Sequence, residues 1–224
     1  MKPVIIFDVN ETLLNVGALA PHFERVFGDK LALPQWFAQL LQTTYVVTLT
    51  GHYRDFSICS RHALDIVAQR RGVVLSDTAV AAIVEGMLNL PPYPEVPASI
   101  ARLREAGFRL ATLTNSAPQA MLAQLKNAGL IHLFDKTLSV DKVRHFKPHP
   151  AIYLMAADEL GVQPHQMRMV AAHNWDTTGA ICAGCKAAFV ARPGMVLGPL
   201  DEVPDIIDHD MDGVVTKIIE NDLH

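Results

Sequence analysis

The chain is predicted to fold as an α/β protein: a doubly wound parallel sheet, interrupted after its first strand by a helical insertion. Three observations predict it. Val4–Phe7 is an unbroken apolar run rich in β-branched residues, the pattern of a strand buried on both faces at the centre of a parallel sheet, and it ends abruptly at Asp8. Between about Gly17 and Asn89 the apolar residues recur at helical spacing and no strand intervenes. Beyond a proline-rich stretch, strands and helices alternate to the end of the chain.

In order, Val16–Val26 reads as a first helix with Leu19, Phe23 and Val26 on one side. Pro34 opens a second, through about Thr50, and Gly51-His52 breaks it. A third spans Phe56–Arg70, and Ser76-Asp77 caps a fourth that ends near Leu88. Pro91, Pro92, Pro94 and Pro97 exclude helix and central strand from the next stretch, which reads as a stiff link between two bodies. The alternation then runs helix Ala98–Ala106, strand Arg109–Thr114, helix Ala117–Ala128, strand Thr137–Val140, helix Pro150–Leu160 and strand Met167–Ala172. It finishes with helix Thr177–Ala183, strand Lys186–Val190, a weak strand Asp205–Ile207 and helix Met211–Glu220. The expected division is a Rossmann-like core of residues 1–15 and 91–224, with residues 16–90 as a helical cap over the strand ends.

Composition narrows the function. Half of the 224 residues are hydrophobic and the formal charge is −4, an ordinary globular balance without the basic stripe that nucleic acid requires. No apolar run is long enough to span a bilayer, and the N-terminal run is too short for a signal peptide, so the expected location is the cytoplasm. Cys59, Cys182 and Cys185 are too few for a disulfide scaffold; Cys182 and Cys185 lack a second pair for zinc and are expected to pack one helix face.

Polar clusters follow the strands: Asp8, Asn10 and Thr12 after the first, Thr114-Asn115-Ser116 after the second, and His173-Asn174-Trp175-Asp176 after Met167–Ala172. A further cluster, His145-Phe146-Lys147-Pro148, precedes a helix. In a parallel sheet these ends converge at one edge, and together under a cap they read as an enzyme site. Asp8 either acts as a nucleophile, forming an ester or acyl phosphate, or only caps a turn. Lys147 either keeps Asp8 ionised and meets an anionic substrate or is a surface lysine. Asp176 orients Lys147, helps activate water, caps the helix expected at Thr177, or does more than one of these. Asn115 has a turn reading beside its site reading. Trp175 is expected to pack at the cap boundary.

These residues carry a resemblance. Phe7-Asp8-x-x-x-Thr12-Leu13, Thr114-Asn115-Ser116, Lys147-Pro148 and the late strand leading to Asp176 resemble, in this order, the four motifs of the haloacid dehalogenase superfamily, and the helical insertion resembles its cap. Most members are magnesium-dependent phosphatases with a second Asp two positions after the nucleophile. Here that position is Asn10, and the last motif offers Asp176 alone. The segments Ser139-Val140-Asp141, Tyr153 and Trp175-Asp176-x-x-Gly179-Ala180 resemble instead the (S)-specific, type II 2-haloacid dehalogenases. The resemblance implies that Asp8 displaces halide from a small 2-haloacid and that water hydrolyses the resulting ester to a 2-hydroxy acid. It implies Thr12, Lys147 and Asp176 as catalytic partners, with Thr114, Asn115 and Tyr153 on the substrate side, where Asn10 and His173 are also expected. It implies a homodimer, no metal and no other cofactor.

Several positions depart from the branch. Asn10-Glu11 replaces an aromatic hydroxyl followed by Gly, Phe37 follows the cap tryptophan Trp36 where the best-known members carry Arg, and Ala171 and His173 stand where Ser and Asn are usual. His173 can replace a lost hydrogen bond as donor or acceptor and is expected near Asp8. The alternatives are a small-molecule phosphatase of the same superfamily and a non-catalytic anion-binding relative.

Overall fold

The computed structural model describes residues 2–223. Strand β1 (Val4–Phe7) is buried along its whole length. It is followed in the sheet-forming part of the chain by β2 (Leu110–Thr114), β3 (Lys136–Ser139), β4 (Met167–Ala171), β5 (Lys186–Val190) and β6 (Ile206–Asp208). Their order is β3-β2-β1-β4-β5-β6, and every neighbouring pair is parallel. Ile6 stands beside Ala111 on one side and Met169 on the other, so β1 is central, as its unbroken apolar run predicts. The chain builds β2 and β3 on one side of β1 and the remaining strands on the other. The reversal lies between β1 and β4, where open α/β sheets leave a crevice beyond the strand ends.

Four helices make up the insertion that follows β1: α1 (Ala20–Phe27), α2 (Ala32–Leu49), α3 (Phe56–Arg70) and α4 (Asp77–Leu88). The single helix expected from Val16 begins instead as a 3-10 turn, Val16–Leu19, and turns α-helical at Ala20. Pro21 explains the change, because it lacks an N–H and fits only the first helical turn. Asp55 caps α3 by accepting from Ser57 N and Ile58 N, and Ser76 caps α4 by accepting from Ala79 N. Phe23, Trp36 and Leu40 are buried between these helices.

The proline-rich stretch differs from the stiff link expected in two ways. It is shorter than expected, because α5 (Val96–Glu105) takes Pro97 into its first turn. It is also paired. Asn15 N donates to the Pro91 carbonyl (2.9 Å) and Tyr93 N to the Leu13 carbonyl (3.0 Å), so the outgoing and returning segments run side by side.

After β2 come α6 (Pro118–Asn127), α7 (Pro150–Leu160), α8 (Asn174–Cys182) and α9 (Met211–Asp222). Fully buried Arg168 on β4 binds Asp222 of α9 (2.5 Å) and Asp205 (2.6 Å), fastening the last helix to the sheet. The two late cysteines do not share a helix face: Cys182 is exposed at the end of α8, while Cys185 lies past the helix and is buried. A helix face is shared only while the helix continues, and α8 stops between them. Among the described residues, no helix is long and apolar enough to cross a membrane.

Candidate active site

Asp8 directly follows β1, and its backbone N–H continues the ladder to the Val170 carbonyl (3.0 Å). The chain then folds back through Glu11, whose φ of 63° is left-handed, with Glu11 N bonded to the Leu14 carbonyl. This return brings the Thr12 hydroxyl onto Asp8 Oδ2 (2.7 Å), and the same oxygen of Thr12 accepts from Ala172 N at the end of β4 (3.0 Å).

Lys147 is fully buried. Its ammonium lies 3.2 Å from Asp8 Oδ1 and 2.7 Å from Asp176 Oδ2, and its backbone N–H donates to Asn115 Oδ1 (3.1 Å). The surface reading of Lys147 is therefore excluded. A Cβ at Gly179 would stand 2.5 Å from Pro148 Cβ and 2.8 Å from the Tyr153 hydroxyl, so glycine lets α8 approach the Lys147-Pro148 segment.

Asp176 is not the cap of its helix. Helix α8 begins at Asn174, with His173 in the cap position and Asp176 in the first turn. There, fully buried, Asp176 accepts from Lys147 and from the Tyr153 hydroxyl (2.7 Å to Oδ1). Tyr153 was expected on the substrate side; it is completely buried and its hydroxyl is committed to Asp176.

His173 stands on the other side of Asp8. Its Nε2 is 2.8 Å from Glu11 Oε2, and its Nδ1 is 3.4 Å from Asp8 Oδ2 without an aligned hydrogen bond. The ring lies between Trp175 (centroids 4.6 Å apart) and Phe37 of α2 (6.0 Å), both stacked. Trp175 also meets Tyr45 of α2, which places it where the helical segment and the sheet meet.

The remaining expected residues divide. Asn115 is close to Lys147, and among the described residues its amide nitrogen has no hydrogen-bond partner. The Thr114 hydroxyl accepts from Ser116 N (3.1 Å) and shapes the turn after β2. Asn10 was expected to face substrate, but its side chain donates to Ser116 Oγ (3.2 Å) and accepts from Gln124 Nε2 (3.0 Å), which also donates to the Met87 carbonyl of α4. A short polar side chain in this turn reaches α6 more readily than the space above Asp8. Sequence reasoning gave no role to Glu11, Phe37, Gln124 or Arg192. The readable signal was Glu11 three residues after Asp8, in the same turn.

Charge follows from these contacts. Burial works against ionisation of Asp8, but the Lys147 ammonium, His173 and the Thr12 hydroxyl overcome it and hold its carboxyl well below the usual range. Burial, opposed by Lys147 and assisted by the Asp8 charge, pushes Asp176 up. Burial and the Asp176 charge raise the Tyr153 phenol, which remains a neutral donor. Burial disfavours a charge on His173, yet Asp8 and Glu11 outweigh it and lift the imidazole to about 9. The resting site thus pairs two cations with the carboxylates of Asp8, Glu11 and Asp176. Such a set can present a carboxylate nucleophile to an anionic substrate and then move a proton on and off an imidazole beside it.

A model of the haloacid dehalogenase-like hydrolases matches residues 2–184. The (S)-2-haloacid dehalogenase of Pseudomonas sp. (strain YL) is 30% identical, over 90% of this chain and 88% of its own. Haloacetate dehalogenase H-2 of Moraxella sp. (strain B) is 27% identical over 96% of each. Among solved structures, L-2-haloacid dehalogenase from Xanthobacter autotrophicus with chloropropionic acid covalently bound superposes with a TM-score of 0.91 at 27% identity, over 99% of both chains.

Proposed function

The chain belongs to the haloacid dehalogenase-like hydrolases, and we propose that it hydrolyses small 2-haloalkanoic acids to 2-hydroxy acids through an ester formed on Asp8. One observation carries this reading: the Asp8 carboxylate, held by Thr12 between the cations Lys147 and His173. Asn10, two residues on, has an amide in place of a transferable proton, which removes the acid that phosphoryl transfer would need. The covalently bound acid in the Xanthobacter relative supports a covalent intermediate here.

Residues 16–90 act as the cap and residues 1–15 and 91–224 as the catalytic core. An Asp8 oxygen attacks C2 from the side opposite the halogen. The new C–O bond forms as the carbon–halogen bond breaks, and halide leaves with the electron pair, inverting C2. Lys147 and His173 offset the charge of the substrate carboxylate beside Asp8, the free Asn115 amide donates to it, and Asp176 with Tyr153 fixes Lys147.

Esterification removes the Asp8 charge, one of the two that lift His173. The His173 proton then passes to solvent and Nδ1 becomes a base, while Glu11 holds Nε2. Water attacks the Asp8 carboxyl carbon and gives a proton to Nδ1. Collapse breaks the bond from that carbon to the ester oxygen, the alkoxide leaves with the proton from His173, and the new Asp8 acid returns a proton to His173. The sum is halide, one proton and the hydroxy acid.

Single turnover in heavy-oxygen water with excess enzyme tests the reading. The product hydroxyl is expected to be unlabelled and the Asp8 peptide labelled. Label in the hydroxyl at the first turnover would mean that water attacks C2 directly.

A further inference from the structure

Arg192 lies just past β5, is 5% exposed, and belongs to none of the polar clusters described above. A buried guanidinium is costly to desolvate and persists where fixed acceptors meet its donors; here both Nη atoms meet such acceptors and, among the described residues, buried Nε meets none. Its Nη2 donates to the Thr12 carbonyl (2.9 Å) and its Nη1 to Glu95 (2.7 Å). The guanidinium carbon sits 3.5 Å from the centre of the Tyr93 ring. Thr12 is in the outgoing segment of the helical insertion, and Tyr93 and Glu95 are in the returning one. One side chain from the sheet therefore grips both crossings at the point where they pair with each other.

Thr12 is also the residue whose hydroxyl holds Asp8 and is itself held by Ala172 N. Asp8, Thr12, Lys147, Asp176 and His173 are all at most 6% exposed, so substrate entry requires the helices to shift against the sheet. The two paired crossings are the covalent links of the helices to the sheet, which makes them the pivot of such a shift, and Thr12 adjoins them. We propose that Arg192 is a positioning residue of the reaction: by anchoring the Thr12 carbonyl at this pivot, it keeps the Thr12 hydroxyl on Asp8 while the helical segment moves. The proposal rests on the displacement reading given above. Lysine has no planar fork and cannot serve Thr12 and Glu95 together while stacking on Tyr93.

The test is the rate of the first halide release from 2-chloropropionate in wild type, Arg192→Met, Arg192→Lys, Thr12→Val and the Arg192→Met/Thr12→Val double variant. Arg192→Met is expected to slow that burst about tenfold or more at saturating substrate, with substrate affinity little changed. Arg192→Lys should recover only part of the loss. The double variant should be no slower than Thr12→Val alone, because both changes remove the same support. Tyr93→Leu leaves the buried charge in place and should slow the burst in the same direction, so a poorly folded Arg192→Met still leaves a reading. A wild-type burst in folded Arg192→Met, or losses that multiply in the double variant, would overturn the proposal. Absence of halide release or of an Asp8 adduct in the wild-type protein would instead sink the displacement reading, and this proposal with it.

Discussion

Lys147 is the residue on which the electrostatics of the site turn, since its ammonium is shared by Asp8 and Asp176. Lys147→Ala leaves two buried carboxylates without their common cation, which forces a proton onto the site and weakens the nucleophile. The expected loss in kcat/KM is on the order of a hundredfold or more, and near wild-type turnover would remove Lys147 from the chemistry. His173 makes a different prediction. His173→Ala should still release one equivalent of halide per enzyme but accumulate the Asp8 ester, visible as a mass increase of the Asp8 peptide; turnover without accumulation would exclude it as the base. The same residue sets a pH dependence of stability. Its imidazole rises from 6.5 to about 9 in the folded protein, so protonated His173 stabilises the fold fully below 6.5, and that contribution is lost as pH climbs toward 9. The melting temperature should therefore fall over this window, and His173→Asn should flatten the fall.

At the scale of elements, the start of α8 and the seat of α9 each set the place of a buried acid. Beginning at Asn174, α8 turns Asp176 inward onto Lys147 and Tyr153, and a start at Thr177 would have left it at a solvent-facing cap. Helix α9 is held through Asp222, whose side chain is buried against Arg168 and also meets Lys186. Burial opposes its charge, but Arg168 and Lys186 bring its carboxyl below the ordinary value. This stabilisation is present above the unfolded carboxyl pKa of about 3.9 and is lost as pH falls through the folded value. Asp222→Asn leaves Arg168 short of a buried partner and should cost about 3–5 kcal/mol in chemical denaturation at neutral pH, with the rate per folded molecule unchanged. A cost under about 1 kcal/mol would show that Asp205 alone suffices.

For the whole molecule, the arrangement bears on metal. The Lys147 ammonium stands between the two carboxylates that would otherwise face a divalent cation, and Asn10 supplies no third charge. Activity should persist after exhaustive chelation and should not rise with magnesium; strict magnesium dependence would return the protein to the phosphatase reading. The sequence by itself determined the sheet, its helical interruption and the edge where the site lies. Those follow from local periodicity, and an apolar run ending at Asp8 needs no distant partner to be read. It also placed Thr12, Lys147 and Asp176 together, through motifs whose order mirrors the order of the strands. Tertiary structure alone decided the partners. Glu11 and His173 meet across 162 residues because β1 and β4 are neighbours, Tyr153 turns to Asp176 because Gly179 admits close approach, and Asn10 turns away toward Gln124. Periodicity tells which face of an element is buried, but which side chains touch depends on strand order, and on a helix starting three residues earlier than its pattern suggests.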